Sequence, residues 1–282
     1  MARDAGSVVR LNAEIAARNK NRAEAASRLL GRDAAALVLP DLTLARGDYT
    51  VTAEALFHAG ERVRGVLSDV SARVAFARAL TERAALAESD LFPLLSEGGP
   101  IRVLYARAGA ADRAYRLFAS VLSDPRVGYA DTNPDAAEGA EIGVADLVLL
   151  PYADAAGNPV LSTQELAETH GLLLSGLARV KVGEGLYYGL FGRAVYARAS
   201  TRVTLHLAIP SPDAGTLAEI FCLARETGLS PDGVAVSSAG RRATLVLTGE
   251  RTDCLVAAVF CLAFFPGCEL RGWRPAQPQS ER

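Results

Sequence analysis

The last third of the chain carries the pattern that most constrains its fold. Residues 201–209 (TRVTLHLAI) alternate like a strand, and residues 215–228 carry an apolar stripe at helical spacing. Residues 233–237 and 242–248 read as two further strands, 252–265 as a second helix and 268–273 as a closing strand. That β-α-β-β-α-β order predicts a ferredoxin-like unit.

Upstream, two other patterns separate. Residues 7–30 read as a helix with Leu11, Ile15, Arg18, Arg22, Ala26 and Leu29 on one face. The arginines therefore sit within an apolar stripe. Residues 31–50 hold Gly, Pro and Asp and break the pattern, which returns from Val51 to Glu88 with a stripe of Leu56, Val63, Leu67, Val70, Val74 and Ala77. Gly98-Gly99-Pro100 cannot continue a helix and marks a boundary. Beyond it strands at 101–106, 126–130, 146–151, 177–182 and 186–197 alternate with helices at 109–122, 133–143 and 162–174, the last opening on a capping box of Ser162 or Thr163 with Glu165. The polar tail from Ala276 is expected to be loose. The fold class is thus α+β and α/β, multi-domain: a helical domain over 1–96, a small α/β lobe over 100–198 and a ferredoxin-like domain over 199–275.

Composition narrows the function classes. The 282 residues carry a net charge of −2, which gives no electrostatic case for nucleic acid. The longest apolar run, Leu255 to Phe265, falls short of the ~20 residues of a membrane span. No membrane partner is expected, and the expected location is cytoplasmic. Cys222, Cys254, Cys261 and Cys268 form no CxxC pair and have no histidine at ligand spacing, so no metal and no cofactor are expected. His58, His170 and His206 are scattered, and no G-x-S-x-G elbow, Walker loop or G-x-G-x-x-G occurs.

Residues 141–146 (EIGVAD), the apolar run Leu147–Leu150 and Pro151, followed by Gly157, Thr163, Leu166 and Gly183-Glu184, resemble in order the first lobe of the prephenate dehydratases. The closing β-α-β-β-α-β unit is similar to the ACT domain of that family, and the family's loop "x-x-G-x-L" is matched by Asp213-Ala214-Gly215-Thr216-Leu217. The helical segment stands where fused members carry a chorismate mutase. The resemblance implies an amino acid such as phenylalanine as ligand, a homodimer paired through ACT domains, and a place in aromatic amino-acid biosynthesis.

The departures fall on the chemistry. The opening loop reads Ala106-Arg107-Ala108-Gly109-Ala110 where the family has Gly-Pro-x-Gly-Thr. Ala153-Asp154-Ala155 replace Glu-Asn-Ser, and Tyr188-Gly189-Leu190-Phe191 replace the Thr-Arg-Phe motif. Thr201-Arg202 belongs to the first strand of the ferredoxin-like unit and is not that motif. Ala235-Val236-Ser237-Ser238 replace the ACT element Glu-Ser-Arg-Pro. About one lobe of two is present.

The expectation is therefore a catalytically degenerate, prephenate dehydratase-like protein that responds to an amino acid or binds a partner. Asp213, Ala214, Gly215, Thr216 and Leu217 are the expected ligand loop, with an ordinary strand-to-helix turn as the plain alternative. Arg18 and Arg22 are the candidate catalytic residues of the alternative, a residual chorismate mutase, where they would clamp a dianion; a helix contact would equally place arginines on that stripe. A purely structural dimerisation subunit is the third possibility.

Overall fold

The structure, a computed structural model, describes residues 2–45, 48–96, 98–181, 185–210, 212–236 and 242–281. Gly183-Glu184 and Ser237-Ser238 lie outside the described residues, as do the side chains of Leu11, Ala235 and Val236. Helices α1 (Ala2–Ala45), α2 (Tyr49–Val63), α3 (Val70–Arg83) and α4 (Glu88–Leu91) come first. An α/β lobe follows: β1 (Ile101–Ala106), α5 (Gly109–Ala119), β2 (Pro125–Ala130), α6 (Asn133–Glu141), β3 (Leu147–Asp154), α7 (Leu161–Thr169), β4 (Leu173–Val180) and β5 (Leu186–Gly192). The last unit comprises β6 (Arg202–Pro210), α8 (Ala214–Thr227), β7 (Ser230–Val236), β8 (Arg242–Glu250), α9 (Arg251–Phe264) and β9 (Glu269–Pro275), with β10 (Gln279–Ser280) behind it.

All the strands join one sheet in the order β2-β1-β3-β5-β4-β9-β6-β8-β7, with β10 beside β4. Its β9-β6-β8-β7 half places the unit's fourth strand next to its first and its third next to its second, the ferredoxin-like arrangement that the sequence pattern predicts. The two halves meet at the parallel pairing of Leu174 with Gly272. Strands β1, β2 and β3 run parallel, while β5 is antiparallel to both its neighbours.

On β6, Val203, Leu205, Leu207 and Ile209 face the helices, and Thr204, His206 and Ala208 take the other face by the period-2 rule. The helix-side residues share one core with Phe76 of α3 and Phe260 and Phe264 of α9. Phe76 meets Phe264 edge-on at 5.7 Å. Polar bonds tie the same contact. Arg73 forks onto Glu219 at 2.8 and 3.1 Å, Arg78 reaches Asp253 at 3.0 Å, and Arg64 donates to the Phe264 carbonyl at 2.8 Å.

The structure corrects four sequence expectations. First, α1 does not break over 31–45. Ala34, Ala35, Val38, Leu42 and Ala45 form a buried stripe there, and Gly31 lets α3 approach so closely that a Cβ would lie 2.2 Å from the Ala72 carbonyl oxygen. Pro40 lies on the exposed side, where water can take the carbonyl it leaves unpaired. Second, the stripe expected over 7–30 is not core: Ile15 is 47% and Leu29 59% exposed. Third, Ser162 and Thr163 cap nothing. Val160 is the N-cap, and the buried Thr163 hydroxyl donates to the Pro151 carbonyl at 2.5 Å. Helix α7 also stops at Thr169, because Gly171 turns through a positive φ of 61° into β4. Fourth, the tail is tied down, since β10 pairs with β4 and the Ala276 N–H donates to Arg202 at 3.1 Å.

Within the lobe, Asp146 at the entry to β3 accepts from the Arg102 backbone N–H at 2.8 Å and from its guanidinium at 3.1 and 2.7 Å. The hydrogen bond from the Arg102 side chain holds the Asp146 carboxyl below the usual carboxylate range. A lowered folded pKa adds stability that is fully present above the unfolded value of about 3.9 and is lost as pH falls through the folded value. Asp146→Asn should therefore melt lower than wild type at pH 7, and the gap should close as the pH is taken below 4. Melting curves across pH 2–7 check this.

Candidate functional site

Arg18 and Arg22 lie on the exposed amino-terminal half of α1 and form no ion pair among the described residues. The arginines that do converge are Arg28 and Arg32, further along the same helix, and Arg78 of α3. They line a groove of about 300 Å³ with Ser71, Glu82 and Glu226. Arg28 sits 3.6 Å from Glu226. The arginine spacing on α1 continues past Gly31, so this groove becomes visible only once the helix is read through it.

Asp213 is the N-cap of α8, its carboxylate accepting the Thr216 N–H at 2.6 Å. That bond holds the Asp213 carboxyl below its ordinary range. The protein's own carboxylate thus occupies the helix terminus where a ligand's carboxylate would be sought. Gly215 has ordinary backbone geometry, and a Cβ there would meet only Asp213, at 3.4 Å. Ala214 is exposed, Thr216 is half-buried, and Leu217 packs against the core.

At the carboxyl edge of β1 and β3, the end of an open α/β sheet where ligands collect, the polar groups serve local structure. Arg107 stacks 4.9 Å over the Tyr129 ring. The buried Tyr105 hydroxyl donates to Asp112 at 2.9 Å, and its pKa is pushed up, chiefly by burial. Asp154 takes both the backbone and side-chain N–H of Asn158 at 2.8 Å, which holds its carboxyl low. Residues 106–110, 153–155 and 188–191 bring no Ser or Thr hydroxyl beside an arginine.

A better-equipped site lies where the lobe meets the open face of the ferredoxin-like sheet. Tyr152 of β3, Gln164 and Glu168 of α7, and Phe191 of β5 face His206 of β6, Thr244 of β8 and Arg271 of β9 across a cleft enclosing about 50 Å³. His206 is only 3% exposed. Its Nε2 accepts from Arg274 Nε at 3.2 Å, which puts the ring proton on Nδ1 and keeps the imidazole neutral. Burial first, and the Arg274 charge second, push its pKa well down. The Tyr152 ring stands edge-on to His206 at 6.5 Å, and burial raises its hydroxyl pKa. Arg271 pairs with Glu269, while its buried Nε has no hydrogen-bond partner among the described residues. Glu168 sits exposed at the rim. The cleft therefore combines the Glu269-paired guanidinium of Arg271, an exposed carboxylate at the rim and aromatic walls. His206 in the middle of an apolar strand is its one trace in the sequence.

The Arthrobacter aurescens prephenate dehydratase in complex with L-Phe matches this chain with a TM-score of 0.50 at 12% identity, over 63% of this chain and 92% of that one. The fold resembles that of the prephenate dehydratases. A prephenate dehydratase from Streptococcus mutans gives a TM-score of 0.49 at 12% identity, covering 64% of this chain and all of that one. A protein described as a novel type of quorum quenching acylase, GqqA, gives 0.48 at 17% identity, over 63% of this chain and 96% of that one. No family model and no curated protein matches the sequence. In this prephenate dehydratase-like fold a single α/β lobe is present among the described residues. Those residues also hold no cluster that could bind a metal ion and no helix long and apolar enough to cross a membrane.

Proposed function

We propose that this protein is a prephenate dehydratase-like binding protein of aromatic amino-acid metabolism, without dehydratase activity, that responds to an amino acid. The observation that carries this reading is the set of side chains around the cleft between the lobe and the ferredoxin-like sheet, which encloses only about 50 Å³ and has to widen to admit a ligand. An α-amino acid presents a carboxylate, an ammonium group and a side chain. Arg271 suits the first, Glu168 the second, and Tyr152, Phe191 and Leu172 suit an aromatic third. The L-Phe complex of the Arthrobacter protein supports the ligand class. In this reading the ferredoxin-like unit over 199–275 is an ACT-like regulatory domain and the working form is a homodimer.

Thermal unfolding tests the reading, with phenylalanine, tyrosine, tryptophan, prephenate and chorismate each in excess. A ligand at 100 times its Kd adds ~2.7 kcal/mol, several degrees for a chain of this size. The expected result is a shift with an aromatic amino acid that Arg271→Ala and Glu168→Gln each diminish. Conversion of prephenate to phenylpyruvate by the purified protein would overturn it.

A second reading has its own observation. The groove at Arg28, Arg32 and Arg78 gathers three arginines, although Glu226 and Asp253 already pair with Arg28 and Arg78, so a shift with chorismate alone would favour a residual mutase seated there, in place of Arg18 and Arg22.

A further inference from the structure

The linker from β5 to β6 and the segment after β9 enclose the roomiest cleft described above or here, about 560 Å³, lined by Arg198, Ser200, Thr201, Arg202, Gln277 and Gln279 among others. No carboxylate lines it among the described residues. Neither the Arg198 nor the Arg202 guanidinium forms an ion pair or a side-chain hydrogen bond among the described residues, although Glu250 stands directly across the ladder from Arg202. Two arginine guanidiniums with no bonded partner among the described residues line one concavity, and an anion reached by both gains charge-assisted hydrogen bonds.

The walls are held independently of any ligand. The Arg251 backbone N–H donates to the Thr201 carbonyl at 2.8 Å, and its Nη1 to the Arg198 carbonyl at 3.4 Å. On the opposite wall the buried Arg274 Nη1 donates to the carbonyls of Pro275 and Ala276 at 3.0 and 3.3 Å. The Ala276 N–H closes the two walls together by donating to Arg202 at 3.1 Å. Such pinning removes most of the ordering cost that loop-built sites carry. The cleft is also separate from the carboxyl edge of the lobe. Tyr196, just before it, donates to the Val121 carbonyl beyond the end of α5, which is the amino end of the parallel strands.

We propose that this cleft binds a small molecule carrying at least two negative charges, phosphoryl or carboxylate, gripped between Arg198 and Arg202 with Thr201, Gln277 and Gln279 as neutral donors. Its volume lies within the small-ligand range of about 300–1,000 Å³, and the chain's net charge of −2 disfavours a nucleic-acid occupant. The site stands whether or not an amino acid occupies the His206 cleft.

Calorimetric titration with pyrophosphate and with citrate, at constant ionic strength, tests it. Saturable binding of at least one is expected, and which one binds separates phosphoryl from carboxylate recognition. Arg198→Ala and Arg202→Ala should each weaken binding at least tenfold, Arg202→Lys less, and Arg271→Ala should leave it unchanged. Both arginines are solvent-accessible and unpaired, so the variants should melt like wild type without ligand. Neither anion binding saturably, or both alanine variants binding like wild type, would overturn the proposal.

Discussion

Arg251→Ala is expected to destabilise the protein by about 3 kcal/mol. The Arg251 guanidinium pairs with Glu88, whose side chain is only 9% exposed, and the pairing raises the arginine's own pKa. Removing the arginine strands a carboxylate that solvent barely reaches. The effect sits at the lower end of the range for broken buried pairs, because Arg251 itself is 33% exposed and water softens the loss. The contact also joins α4 to the amino end of α9, so the damage falls on the docking of the helical region. Adding Glu88→Gln to Arg251→Ala should recover much of the loss at pH 7. Chemical denaturation of the four members of that cycle measures the coupling. A cycle with no coupling would refute the pairing.

Gly60→Ala should cost a similar amount, about 3 kcal/mol, at the upper end for overpacking. A Cβ at Gly60 would lie 1.9 Å from the Ala263 carbonyl oxygen and 2.6 Å from its carbon. Both groups are main chain of α9, so no rotamer change relieves the clash and α2 must lift away from α9. An alanine is otherwise the better helix former by about 1 kcal/mol, so local propensity pushes the other way. Gly65→Ala is the control, because a Cβ there has nothing within 4 Å. Thermal melts of the two variants separate the clash at Gly60 from the effect of a glycine-to-alanine change in the open turn after α2. Equal melting temperatures would mean that α2 and α9 do not touch at Gly60.

The strands were legible because their side-chain alternation is local. Val203, Leu205 and Leu207 against Thr204 and His206 give away both the element and its faces. Helix α1 was misread for the opposite reason. Gly31, Asp33 and Pro40 are locally strong breakers, while the stripe that holds the helix, Ala34, Ala35, Val38, Leu42 and Ala45, is mostly small residues with little hydrophobic signal. The apolar residues at Ile15 and Leu29 gave a stronger stripe that is not buried. Propensity lost to tertiary packing over residues 31–45. The His206 cleft draws on β3, α7, β5, β6, β8 and β9, so no spacing rule joins Tyr152 to Arg271 before the fold brings them together. The groove at Arg28 and Arg32 needed only an unbroken α1.

The central claim is that this prephenate dehydratase-like scaffold binds an aromatic amino acid in the cleft at Arg271. Titration calorimetry with L-phenylalanine, on wild type and Arg271→Ala, tests it most directly. The account predicts saturable binding by the wild-type protein that is at least tenfold weaker in the variant. No binding heat with wild type, or equal affinity in both, would contradict it.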